Sequence, residues 1–171
     1  MKTLYILIGV LYCTATFAQT EISVKNIRKA VKQINADKSL TTRIIDNAQI
    51  SKQGTDGGDK LTGYYKNGQL VKIVESIGLS SCMNITEYYL QDNKLIFVYA
   101  QGKEFKYEES LATYNSSVQI VTMESRFYFQ DDKLVKSILT GSTRCSDSPL
   151  AGWSTNYQEK FLQYVKLLPG K

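Results

Sequence analysis

The chain of 171 residues has no histidine, only three cysteines and a single tryptophan. Without histidine the usual general base, the Ser-His-Asp arrangement and the commonest metal ligand are all missing. The cysteines are too few for a zinc set, so no metal is expected. No glycine run has the Walker or Rossmann spacing; Gly54, Gly57 and Gly58 read as a turn. No cofactor is expected either. Beyond residue 18 no apolar run is long enough to span a bilayer, which predicts a mature chain without a transmembrane segment. A net charge of +5 is too mild to argue for nucleic acid. Lys25, Arg28, Lys29 and Lys32 do make one helix face basic. That pattern reads as a solvated face, with contact to an acidic surface as the alternative.

The N-terminus has the layout of a secretory signal. Lys2 supplies the positive start, residues 4–12 the apolar stretch, and Thr16-Phe17-Ala18 the cleavage region. Residues 1–18 are therefore read as a signal peptide cleaved near Ala18, and residues 19–171 as one domain, periplasmic or extracellular. Cys13 follows the bulky Tyr12, which does not suit a lipobox. Cys82 and Cys145 survive processing, and an even pair in an oxidising compartment predicts a disulfide. It would close a loop of about sixty residues and contribute about 4 kcal/mol in the chain-entropy model.

What the chain does contain is one pattern written three times: Tyr64-Tyr65-Lys66-Asn67-Gly68-Gln69-Leu70-Val71, Tyr89-Leu90-Gln91-Asp92-Asn93-Lys94-Leu95-Ile96, and Tyr128-Phe129-Gln130-Asp131-Asp132-Lys133-Leu134-Val135. An aromatic run, a polar pair and an apolar run make the sequence form of a β-hairpin. Asn, Gly and Asp at the centre suit a type I′ turn, which needs two residues at positive φ. Pairing outwards sets Tyr65 opposite Leu70, Leu90 opposite Leu95 and Phe129 opposite Leu134. One step further, Tyr64 faces Val71, Tyr89 faces Ile96 and Tyr128 faces Val135. Strict alternation then sorts the side chains. Tyr64, Val71, Ile73, Glu87, Tyr89, Ile96, Val98, Glu124, Arg126 and Tyr128 share one face. Leu61, Tyr65, Leu70, Tyr88, Leu90, Leu95, Phe97, Tyr99, Phe127 and Phe129 share the other.

Amphipathic helices are expected over 23–36, with Val24, Ile27, Val31 and Ile34 inward, and over 155–168, stopped by Pro169-Gly170. A strand is expected over 41–50, and the link 102–117 reads as an excursion at the sheet's edge. The fold class is α+β: an antiparallel meander sheet of about seven strands built from three hairpins, with an N-terminal and a C-terminal helix packed on one face.

Carboxylates are the remaining acid–base apparatus. Glu87 and Glu124 share a predicted face, as the paired carboxylates of a hydrolase would. Arg126 occupies the position equivalent to Glu87, and on adjacent strands a cross-strand ion pair would account for both. Tyrosine is abundant, at twelve residues. Tyr88, Phe97, Tyr99 and Phe127 form a candidate aromatic binding platform, with sheet core as the competing reading.

The repeated Tyr-Tyr-x-Asn-Gly-x-Leu-Val run resembles the hairpin repeats of MORN-like proteins, some of which are antitoxin or immunity proteins, although the regular MORN glycine pattern is absent. The leader ending Phe17-Ala18-Gln19 is similar to those of uncharacterised exported proteins of Bacteroidetes-type bacteria. A helix followed by antiparallel strands is also similar to β-lactamase-inhibitor-like and PepSY-like domains. These features imply an exported, non-enzymatic binding or interaction module for a protein or glycan. Its contact surface would be the aromatic face or the loops near the cystine. The alternative is a small hydrolase acting on glycans through Glu87 and Glu124.

Overall fold

Residues 20–36 are helical (α1), with Val24 and Ile27 buried and Val31 and Ile34 continuing the same stripe. The computed structural model describes residues 20–46, 55–145 and 153–170. The expected signal peptide and its cleavage near Ala18 lie outside the described residues, as does the far end of the strand expected over 41–50. Seven strands follow α1: β1 (Thr41–Asp46), β2 (Asp59–Lys66), β3 (Gln69–Gly78), β4 (Cys82–Gln91), β5 (Lys94–Glu108), β6 (Thr113–Gln130) and β7 (Lys133–Gly141). A second helix, α2 (Trp153–Leu167), closes the chain. The strands form one antiparallel sheet in sequence order, a seven-stranded meander.

The three expected turns occur where the polar pairs stand. Asn67 and Gly68, Asp92 and Asn93, and Asp131 and Asp132 all have positive φ, between 48° and 81°. These residue types tolerate the left-handed region that the right-handed strand twist demands of a two-residue turn. The innermost pairs also stand as expected: Tyr65–Leu70, Leu90–Leu95 and Phe129–Leu134.

One step outwards the register changes, identically in all three hairpins. Tyr64 pairs with Lys72, Tyr89 with Phe97 and Tyr128 with Lys136, so Val71, Ile96 and Val135 are extra residues in β-bulges. The expected pairs Tyr64–Val71, Tyr89–Ile96 and Tyr128–Val135 do not form. Because the side-chain period is two, one extra residue moves everything beyond it to the opposite face. Ile73 and Val98 therefore lie with Leu61, Tyr88 and Phe127, whereas Phe97 and Tyr99 lie with Tyr89 and Tyr128.

The helices do not share a face, contrary to expectation. Phe161, Tyr164 and Leu168 at α2 pack on Leu61, Tyr88, Leu90, Val98 and Phe127. Val24 and Ile27 of α1 pack on Tyr89, Phe97 and Tyr128. The reason is that both faces are apolar: the neighbours Tyr88 and Tyr89 point opposite ways and are 0% and 1% exposed. Each helix has only one apolar stripe. Two helices on one face would leave the other set of rings wet, at about 1.5–3 kcal/mol per large side chain. The result is a helix–sheet–helix sandwich.

The link 102–117 is strand for most of its length. β5 runs on to Glu108 and β6 starts at Thr113, joined by a 3-10 turn at Glu109–Leu111. Past Cys82, which pairs with Glu104, and Gly141, which pairs with Met123, these two strands continue as a two-stranded ribbon. The Cys82–Cys145 disulfide forms at the root of that ribbon, with Cα atoms 6.4 Å apart and a sequence separation of 63. Asn84 Nδ2 donates to the Cys145 carbonyl at 3.2 Å and fixes the same corner.

Replacing both Cys82 and Cys145 with serine is expected to lower the unfolding free energy by about 4 kcal/mol, the entropy of the released loop. Urea denaturation of the pair variant against the oxidised protein measures it. A loss under about 1 kcal/mol would show that the bridge does not constrain the unfolded chain.

Candidate functional site

The four rings expected to form one platform are divided by the bulges. Tyr88 and Phe127 are buried under α2, while Phe97 is buried and Tyr99 half-buried on the α1 face. Glu87 and Glu124 do share the α1 face with Phe97 and Tyr99. They stand on β4 and β6 with β5 between them, because Glu87 pairs with Tyr99 and Glu124 with Gln101. Two strand spacings and a two-residue offset put their backbones roughly 12 Å apart. Arg126 is likewise a strand too far from Glu87 for the expected cross-strand pair.

Each carboxylate has its own partners instead. The Tyr89 hydroxyl donates to Glu87, whose carboxylate also meets Lys72 Nζ at 3.1 Å. Asn35 Nδ2 donates to the Tyr89 oxygen at 2.9 Å, and Lys72 Nζ donates to Asn35 Oδ1 at 3.0 Å. Helix α1 is thus tied to the sheet by a closed polar circuit. The Tyr99 hydroxyl donates to Glu124, which meets Arg126 Nη2 at 3.3 Å. That hydrogen bond holds the Glu124 pKa below its ordinary value, with Arg126 adding to the effect. Burial, reinforced by the same bond, pushes Tyr99 up to about 12. A Tyr99 hydroxyl that stays protonated beside a Glu124 carboxylate that stays charged makes a durable donor rather than a proton-transfer group.

Next to these pairs lies a groove of about 600 Å³ between α1 and the sheet. Arg28, Lys32 and Asn35 of the helix stand on one side and Arg126 on the other, over Phe97 and Tyr128. Arg28 Nε donates to the Tyr128 oxygen at 3.2 Å, and its guanidinium lies 5.5 Å from that ring's centroid. Arg126 lies 4.9 Å from the Tyr99 centroid.

The α2 face holds a carboxylate that sequence reasoning passed over. Glu75 is buried on β3, accepting from Tyr88 at 3.3 Å, from Tyr164, and from Lys160 Nζ at 2.9 Å. Its only sequence signal is indirect: tyrosines at 88 and 164, buried on apolar stripes, need an acceptor for their hydroxyls. Beside it a cleft of about 140 Å³ is lined by Asn84, Thr86, Met123, Asn156 and Tyr157. Burial drives the pKa values of Tyr88, Tyr157 and Tyr164 upward, and the Glu75 charge adds to each.

The ribbon at the disulfide end is the third feature. Its root is clamped by Arg144, which meets Glu104 Oε2 through Nη2 at 2.8 Å and donates its backbone amide to Glu104 Oε1 at 3.0 Å. Its tip is braced by Tyr107 against Tyr114, with centroids 5.1 Å apart. Tyr107, Leu111, Val118, Ile120 and Val121 are exposed along it.

Among the described residues no group of three His, Cys, Asp or Glu side chains is placed to hold a metal, and no helix is long and apolar enough to cross a membrane. No family model, no curated protein and no solved structure matches this chain.

Two outcomes follow from these networks. Glu75→Ala leaves two buried hydroxyls and an ammonium without their acceptor and is expected to cost about 3 kcal/mol or more. Glu87→Ala, whose site is partly open to water, should cost about 1 kcal/mol. Urea midpoints of the two variants compare them directly.

The buried tyrosines predict an alkaline transition. Their folded pKa values are raised, so their stabilisation is complete below the ordinary value of 10 and is lost as pH rises through the folded values. Tyrosinate absorbance should therefore rise in two stages, with the second stage coinciding with loss of circular dichroism. A single gradual rise with the fold intact would contradict this.

Proposed function

We propose that this protein is an exported, non-enzymatic binding module that holds a protein partner through the β5–β6 ribbon. One observation carries the reading. Nine large apolar side chains are exposed among the described residues, and five of them lie between Tyr107 and Val121. Elsewhere the aromatic sets are covered by helices, so the concentration on one ribbon is not general surface composition. Ile120 and Val121 are neighbours on a strand and point to opposite sides, yet are 55% and 47% exposed. A ribbon apolar on both sides fits a partner that closes around it. Two strands without a covering layer are marginal in water, and a partner would supply that layer.

The disulfide supports the exported half of the proposal, because such bonds persist in oxidising compartments. The expected cleavage near Ala18 agrees with it. The contact surface is then the second of the two expected from the sequence, the region of the cystine, and not the aromatic face. The hydrolase reading gains no specific observation, since Glu87 and Glu124 are each engaged by their own tyrosine and cation.

The test is a quantitative pull-down from the envelope and medium of the source cells, with wild type beside Ile120→Asp and Leu111→Asp. Both side chains are exposed, so thermal midpoints should stay unchanged. The specifically captured protein should bind each variant about tenfold more weakly or worse, as expected for a charge placed in an apolar contact. Equal capture by all three proteins would sink the reading.

A further inference from the structure

The basic face of α1 is not used by the ribbon, and the structure gives part of it a second wall. Lys25 and Lys29 are exposed, but Arg28 and Lys32 stand across a groove from Arg126 of β6. We infer that this groove is a binding site for an acidic sugar residue, a pyranose ring carrying a carboxylate.

The charge argument comes first. Three cations line the groove, and no Asp or Glu is among its lining residues. Arg28 donates to the Tyr128 oxygen and feels Glu21 only through space, and Lys32 has no ion pair or side-chain hydrogen bond among the described residues. Arg126 is shared with Glu124 through one nitrogen at 3.3 Å, which leaves the rest of its fork open. The positive charge is therefore only partly compensated, and an anion would complete it.

Preorganisation is the second argument. Both guanidinium groups lie against rings, Arg28 on Tyr128 and Arg126 on Tyr99, at 5.5 and 4.9 Å from the centroids. Side chains already fixed in this way lose little freedom when a ligand arrives.

Size and floor then select the ligand. At about 600 Å³ the groove is far larger than a bare ion needs and falls within the range of small-molecule sites. Val31 is half-buried in its lining and suits a body with one apolar side. Phe97 and Tyr128 are too buried to offer a ring face for stacking a nucleobase. The groove opens over β5 and β6, each paired on both sides along this stretch, so an acidic peptide finds no free ladder. A sugar ring needs neither. Its carboxylate would sit between Arg28 and Arg126, its hydroxyls would reach Lys32, and its C–H face would lie against the half-buried Val31.

Calorimetric titration of the protein with trigalacturonate, galactotriose and sodium sulfate tests this. Trigalacturonate should bind with one site per chain, the neutral trisaccharide should not, and sulfate at equal concentration should not displace the acidic sugar. Arg126→Gln and Arg28→Gln should each weaken binding about tenfold, the loss of one charge-assisted contact. Lys32→Gln alters an exposed side chain, so it tests the site without threatening the fold; it should weaken binding severalfold. Ile120→Asp should leave sugar binding unchanged, which separates this site from the ribbon. Equal binding of galactotriose, displacement by sulfate (an adventitious ion only), indifference to Lys32→Gln, or no binding at all would each overturn the inference.

Discussion

Three hairpins each place one extra residue at the same distance from the turn, and the rest of the architecture depends on that repetition. Val71, Ile96 and Val135 are the extra residues. Ile96 and Phe97 both lie in the α1 cluster, while Leu95 before them and Val98 after them lie in the α2 cluster. A sheet with regular alternation would have kept Phe97 with Leu95 and left the Tyr89 side poorer in apolar groups. The bulge instead moves Phe97 and Tyr99 to the α1 side and Val98 to the α2 side, and a sheet that is apolar on both sides requires a helix on each. Bulges also increase local twist, which suits helices crossing the sheet near its turns.

Burying so many tyrosines creates a second demand. Each phenol brings a large apolar ring and one hydroxyl that cannot be left unpaired in the core without cost. The chain answers with glutamates: Glu75 for Tyr88 and Tyr164, Glu87 for Tyr89, and Glu124 for Tyr99. Each carboxylate also has a cation, Lys160, Lys72 and Arg126 respectively. The acidic residues that suggested acid–base chemistry are thus accounted for as acceptors in a tyrosine-rich sheet. This is why carboxylates near aromatics in a strand pattern are a weak catalytic signal when every phenol nearby needs an acceptor.

Much of the fold was legible because it rests on local rules. Asn67-Gly68 and its two counterparts predict positive-φ turns from steric permission alone, and the 24–27–31–34 spacing predicts the inward stripe of α1 from helical geometry. The bulges were not legible. Valine and isoleucine are ordinary strand residues, and nothing in their type marks an extra position; only cross-strand packing decides it. That single omission propagated to the faces of Phe97, Tyr99, Ile73 and Val98. Glu75 was missed for a related reason. Its partners come from β4 and from a helix 85 positions away, a proximity that no local pattern encodes. In the groove beside α1, both Arg28 and Arg126 were visible as charged residues, but their meeting across it depends on the helix crossing, which composition does not specify.

The same sheet is treated differently along its length, and this separates stability from contact. Near the turns the rows that cross the strands are apolar on both sides: Tyr88, Val98 and Phe127 towards α2, and Tyr89, Phe97 and Tyr128 towards α1. Two residues further from the turns, the α1 side reads Glu87, Tyr99 and Arg126, and then Gln101 and Glu124. Helix α1 crosses the strands nearer the turns instead, from Lys136 of β7, which meets Glu21, to Lys72 of β3, which meets Asn35. Beyond the row of Gln101 and Glu124, β4 and β7 end, the disulfide ties their corner, and β5 and β6 go on alone. A ribbon released from its neighbours would fray unless its root were fixed. The cystine and the Arg144–Glu104 clamp supply that fixation at the boundary. The covalent bond therefore does more than stabilise the domain: it lets an exposed apolar arm keep a defined shape where the packed core has run out.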